Sequence, residues 1–85
     1  MSAKRGEPTI TLAELAVGQS ARITGLRGNG AIRQRLLDMG VTRGTQVVVK
    51  RLAPLGDPME IAVKGYSLAI RRDEAQAITV RLDAE

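Results

Sequence analysis

Five short runs of alternating apolar residues, each cut off by glycine, proline or a charged turn, constrain this chain more than any other feature. Residues 19–26 (QSARITGL) set Ala21 and Ile23 against Arg22 and Thr24. Residues 46–52 (QVVVKRL) are rich in β-branched side chains. Met59, Ile61 and Val63 alternate with Glu60, Ala62 and Lys64, and Leu68 and Ile70 with Ala69 and Arg71. Ile78, Val80 and Leu82 make the last run. A period of two marks a half-buried strand. The breaks between runs carry turn chemistry: RGNG at 27–30, VTRGT at 41–45, APLGDP at 53–58 and a glycine at 65. Strands this short and this close together belong to a barrel or a sandwich. With 85 residues there is no room for two full sheets. The expected fold is mainly β, a small, partly open five-stranded barrel.

Two segments depart from that period. In the first, Ile32, Leu36 and Met39 fall at i, i+4 and i+7, and Leu37 widens the stripe. Arg33, Gln34 and Asp38 turn away from it. Asn29 stands where an N-cap is wanted, and Gly40 where a helix ends in the left-handed region. Val41 should then pack back on the last turn. This predicts one helix after the first strand, plugging the barrel. In the second segment, Thr11 with Glu14 three residues later fits a capping box and opens a short N-terminal helical turn. Leu12 and Leu15 should face inward, and Gly18 should stop the turn. RRDEAQ at 71–76 reads as a charged turn or a single helical turn. The expected organisation is a flexible tail over 1–9, one domain over 10–82 and a frayed end over 83–85.

Composition excludes much chemistry. There is no cysteine and no histidine, which removes disulfides, thiolate metal sites, and the commonest general base and transition-metal ligand. A catalytic site would have to be assembled from carboxylates, three lysines and one tyrosine, so no catalytic residue is assigned and no enzyme is expected. No intrinsic cofactor or metal site is expected either. The carboxylate pairs Asp73 with Glu74 and Asp83 with Glu85 offer at most weak surface binding of a divalent cation, since adjacent acids rarely converge on one ion. GLRGNG at 25–30 precedes a helix, but it matches neither the dinucleotide fingerprint nor the P-loop, and a turn is the simpler reading. Tyr66, the sole aromatic, is expected half-buried beside the barrel. No apolar run approaches the roughly 20 residues of a membrane span, and the start is not a signal peptide. A cytoplasmic protein is the simplest expectation.

Charge is uneven. Residues 27–51 hold Arg27, Arg33, Arg35, Arg43, Lys50 and Arg51 against Asp38 alone, while the whole chain carries +4. A positive face, and an acidic or anionic partner, follow. Nucleic acid is disfavoured: sequence-tolerant binders stack bases on aromatics, and a recognition helix needs a partner helix at a tight turn.

The stretches IRQRLLDMGVTRGTQVVV (32–49) and APLGDPMEIAVKGYSLAIRRDEAQAITV (53–80), with TLAELAVGQSARITGL (11–26) before them, resemble the FeoA family, the small cytoplasmic component of bacterial ferrous iron transport. The resemblance covers about residues 10–82. It implies an SH3-like barrel, and it implies a partner, the large membrane transporter FeoB with its cytoplasmic GTP-binding domain. The expected role is that of a non-enzymatic accessory protein, peripheral to the inner membrane through that partner. Arg33 and Arg35 are the candidates for charge complementarity, and Leu55 and Met59 for apolar contact. Two alternatives stand beside this: a GTPase activator supplying Arg33 or Arg43 to its partner, and a small basic barrel that binds RNA. Open strand edges also allow a homo-oligomer.

Overall fold

The computed structural model describes residues 10–83. Among these residues six strands form one antiparallel sheet: β1 (Ile10–Thr11), β2 (Ser20–Leu26), β3 (Gln46–Leu52), β4 (Met59–Val63), β5 (Tyr66–Ile70) and β6 (Ile78–Leu82). Their order across the sheet is β1-β6-β2-β3-β4-β5. The sheet curls around an aliphatic core of Leu12, Ile23, Leu36, Val41, Val47, Val49, Ile61, Val63, Ile70, Ile78 and Val80. Register shifts between Ile23 and Gly25 on β2, and between Val49 and Arg51 on β3, supply the local bends that a curled sheet needs. The chain thus forms the expected mainly β barrel. The strand count rises from five to six, because β1 has only two residues and no alternation could announce it.

The helical segments close what the strands leave open. Thr11 directs its backbone N–H to Glu14 Oε2 at 2.9 Å, opening a single 3-10 turn over Leu12–Glu14. Leu12 and Leu15 are buried as expected. The turn ends at Leu15, already extended, and Gly18 serves instead at φ +92 in the bend into β2. A second short helix, α2 (Arg72–Ala75), follows β5 and packs against that 3-10 turn. The two pieces therefore bridge the gap between the sheet's outer strands, β1 and β5.

The main helix, α1 (Gly30–Asp38), leaves β2 and returns to β3. Asn29 Oδ1 accepts the Ile32 N–H at 2.9 Å. The Gly40 N–H donates to the Leu37 carbonyl at 3.0 Å and the Val41 N–H to the Leu36 carbonyl at 3.0 Å, with Gly40 at φ +89. That left-handed ending folds Val41 back into the core. Leu36 is the one residue of α1 wholly buried, with Ile32 and Met39 partly so. Leu37, expected to widen the buried stripe, is 38% exposed. A helix that lies on the barrel by one edge has room for a stripe only one residue wide. Leu82 is likewise exposed, at the end of β6 where the barrel opens.

Lys64 and Gly65, at φ 47 and 87, form the two-residue turn that joins β4 to β5. Residues 1–9 and 84–85, where a tail and part of a frayed end were expected, lie outside the described residues. Asp83 is not frayed. Its N–H donates to the Ser20 carbonyl at 3.2 Å, and its carboxylate accepts from Ser20 Oγ at 2.9 Å and Gln46 Nε2 at 2.6 Å.

Candidate docking surface

The basic face is built where two strands part company. β3 runs beside β2 only over Ser20–Arg22, while β2 continues along β6 to Leu26. In that distal half, the corner after α1 takes the place of a strand. The Ile23 N–H donates to the Thr45 carbonyl at 2.9 Å, and the Gly44 N–H to the Ile23 carbonyl at 2.7 Å. Two of the singled-out arginines continue the pattern. Arg43 Nε donates to the Thr24 carbonyl at 3.1 Å, and Arg33 Nη1 to the Leu26 carbonyl at 3.1 Å. Arg22 reaches the Gly44 carbonyl at 3.0 Å. A guanidinium has five N–H donors, so each arginine holds a carbonyl and still shows charge to solvent.

Arg35 is held differently. Its Nε lies 2.5 Å from Glu74 Oε2, and the Glu74 side chain is only 6% exposed. The same carboxylate accepts the Arg71 N–H at 3.0 Å, capping α2. Arg35 therefore neutralises a buried acid and ties α1 to α2. Arg33, Arg35 and Arg43 are all exposed on the α1 side of the barrel, and each is bound to the domain itself. The sequence offered their charge but not these partners, because the bonds run to backbone carbonyls and to a glutamate 39 positions away.

The apolar candidates separate. Leu55 is 89% exposed at the tip of the loop between β3 and β4. That loop is pinned: the Gly56 N–H donates to the Ala53 carbonyl at 2.7 Å, the Ala53 N–H to the Pro58 carbonyl at 3.0 Å, and the Arg72 N–H to Asp57 Oδ1 at 3.1 Å. Beside it a hollow of about 200 Å³ is lined by Ala13, Leu15, Leu52, Leu55, Met59 and Arg72. Met59, expected as a surface contact, is 3% exposed and belongs to the core. Its place at the start of a strand with inward Ile61 and Val63 fixes it on the inner face. Leu52, 38% exposed, joins Leu55 on this surface, although the run that contains it reads simply as a strand.

The remaining candidates resolve into structure. Tyr66 is 43% exposed, and its hydroxyl donates to the Met39 carbonyl at 2.9 Å. It thereby clamps the end of α1 to β5. Of the adjacent acids Asp73 and Glu74, Glu74 is committed to Arg35. Among the described residues no group of three or more candidate metal ligands comes together. In the glycine-rich loop, the Arg27 N–H is taken by the Ala77 carbonyl at 2.6 Å and the Ile32 N–H by Asn29. Two amides a phosphate would want are therefore already used. Among the described residues no helix is long and apolar enough to cross a membrane.

Comparison with known proteins bears on this surface. The FeoA domain family model matches residues 10–82. A protein of Porphyromonas gingivalis described as an Fe(2+) transport protein A/Fe(2+) transporter FeoB fusion is 38% identical over 73 residues, which is 86% of this chain. The chain spans only 9% of that relative's length. The solution structure of FeoA from Chlorobium tepidum is 44% identical, with TM-score 0.81 over 88% of this chain and 71% of its own. The crystal structure of Stenotrophomonas maltophilia FeoA, complexed with zinc and described as a prokaryotic SH3 domain protein, is 31% identical. Its TM-score is 0.73 over 84% of this chain and 88% of its own.

Proposed function

We propose that this chain, which belongs to the FeoA family, is a non-enzymatic accessory protein of ferrous iron uptake that docks on the cytoplasmic part of a FeoB-like GTP-binding transporter. The observation that carries the reading is the Porphyromonas gingivalis relative, in which a related domain and a FeoB transporter occur in one polypeptide. Two domains covalently joined meet at a high effective concentration, and contacts between them in separate chains follow the same chemistry. The proposed place of action is the cytoplasmic face of the inner membrane, reached through the partner. No resident cofactor is needed for this role, and divalent cations would meet only surface carboxylates.

Leu55 is the proposed apolar anchor, since it stands exposed on a loop whose ends are hydrogen-bonded in place. A pinned apolar side chain loses little freedom on docking. Arg33 and Arg43, bonded only to carbonyls, supply a positive rim that favours encounter with an acidic surface, with Arg35 beside them partly offset by Glu74. The arginine-finger alternative is weaker, because Arg33 and Arg43 would each first release a carbonyl of β2. The RNA alternative gains no aromatic platform beyond Tyr66, whose hydroxyl is already engaged.

The test is calorimetry or pull-down with the intact cognate transporter and with its cytoplasmic part. Leu55→Asp should weaken binding about tenfold or more, the effect of losing an interface anchor. Arg33→Ala should act mainly on the association rate and its salt dependence. Absence of binding at low salt to both forms of the transporter would refute the docking role. Altered GTP turnover at saturating protein would favour the activator instead.

A further inference from the structure

Among the described residues, no strand pairs with the outer edge of β5, while the other edges are protected. β1, at the far side of the sheet, has two residues and is followed at once by the 3-10 turn. The unpaired half of β2 is occupied by the 41–45 corner, Arg43 and Arg33. β5 is followed after Arg71 by α2, which covers only the end beyond Ile70; the strand itself has no such device. Its five residues, Tyr66-Ser67-Leu68-Ala69-Ile70, contain no charge, no proline and no bulge. Proteins usually blunt a free edge with one of those, because an open row of N–H and C=O groups invites another strand.

The register says which groups are open. β4 and β5 join through a two-residue turn, so Val63 and Tyr66 exchange both hydrogen bonds, as do Ile61 with Leu68 and Met59 with Ile70. The intervening residues, Ser67 and Ala69, point their N–H and C=O groups away from β4. Among the described residues nothing accepts or donates to them. Their side chains are small and exposed, and beside them opens a hollow of about 380 Å³, walled by Arg51, Pro58, Glu60 and Ala69.

We propose that β5 is a self-association edge, pairing antiparallel with β5 of a second copy about a two-fold axis at Leu68. Two open residues placed symmetrically about a central one are self-complementary. Ser67 of each copy faces Ala69 of the other, and the four backbone hydrogen bonds of those two pairs form without either chain shifting register. The paired segment itself carries no charge, while at each end Lys64 of one copy comes opposite Arg72 of the other, a like-charge approach that weakens the pairing. The sheet then runs continuously through both molecules, and Leu55, on the loop before β4, is not part of the paired strand. A five-residue edge buries less than the roughly 1,200 Å² of a standard interface. The dimer is accordingly weak, populated from about 0.1 mM upward, and a weak site is what a protein with another docking task can tolerate.

The experiment is sedimentation equilibrium from about 10 μM to about 1 mM, with amide exchange by NMR on the same samples. The wild-type chain should shift from monomer to dimer, and the Ser67 and Ala69 amides should become protected in step. Ala69→Pro removes an outward N–H and leaves the bonds to β4 in place, so it should abolish dimer at every concentration while the amide spectrum stays dispersed. Ala69→Lys, which keeps the backbone and adds an edge charge, should raise the dissociation constant about tenfold or more. A wild-type monomer at the highest concentration overturns the proposal. So does a dimer that both variants leave intact, or protection of the two amides in the monomer itself. Protection that appears only when transporter is added assigns the edge to that partner and equally overturns self-pairing.

Discussion

Replacing Gly40 by alanine should be costly for two separable reasons, and the contact with Tyr66 allows them to be separated. Gly40 sits at φ +89, where a side chain is disfavoured by about 1–2 kcal/mol. A Cβ placed there would also lie 2.5 Å from the Tyr66 hydroxyl and 3.8 Å from Cζ. The first distance is far inside van der Waals contact, while the second is ordinary. The hydroxyl must therefore move, and it loses its bond to the Met39 carbonyl, worth about 1 kcal/mol. Gly40→Ala should destabilise by about 2–3 kcal/mol, a fall in Tm of roughly 10–20 °C for a domain of this size. Tyr66→Phe alone should cost about 1 kcal/mol, the lost hydrogen bond. In the double variant the clash is gone, and the penalty should again be about 2–3 kcal/mol rather than the sum. The coupling of about 1 kcal/mol is measurable by urea unfolding followed by far-UV circular dichroism, which does not depend on the tyrosine. Simple additivity of the two substitutions would refute the reasoning and place the whole cost in the backbone.

Other outcomes follow from single contacts. Asn29→Ala should cost about 1 kcal/mol in chemical denaturation, since only its side chain takes the Ile32 N–H. Glu74→Ala should cost about 2 kcal/mol, because it removes both the cap on Arg71 N–H and the partner of Arg35. Arg35→Ala should cost about 1–2 kcal/mol, because it leaves the nearly buried Glu74 carboxylate without its cation, and a loss within error of zero would show that solvent already screens the pair. Hydrogen bonds from Gln46 and then Ser20 hold the Asp83 carboxyl below its ordinary pKa. Its stabilising effect is thus present above the unfolded value and disappears as pH falls through the folded one. Asp83→Asn should flatten the acid limb of a stability-versus-pH curve, and an unchanged limb would exclude that linkage.

Much of the barrel is legible in the sequence because its strands bury one face, and period two is then written into every alternate residue. The five runs from Ala21 to Val80 are found in place, as are the Asn29 cap, the Gly40 ending and the Thr11–Glu14 box. β1 escapes because a two-residue strand has no period. Leu37 and Leu82 mislead because apolar character says nothing about how wide a groove the barrel leaves for a helix, or where a strand outruns its core. The candidate surface is less legible. Local charge density announces Arg33, Arg35 and Arg43, but whether a guanidinium is free depends on carbonyls and acids that only the fold brings near. Met59 and Leu55 look alike as apolar residues flanking turns, and only strand phase separates them, with 3% exposure for one and 89% for the other.

The pairing of β1 with β6 has a mechanical consequence. Ile10 lies opposite Val80 and Thr11 opposite Thr79, so the first described strand and the last run antiparallel with their outer ends on the same side. A load drawn through both ends pulls these strands apart like a zipper, one hydrogen-bonded pair at a time, rather than shearing the ladder all at once. Tension would therefore peel off β1 at low force, draw on the 3-10 turn that follows it, and expose the seam with α2 while β2 to β5 stay paired. A domain tethered at both sides to a moving machine would yield first at that seam.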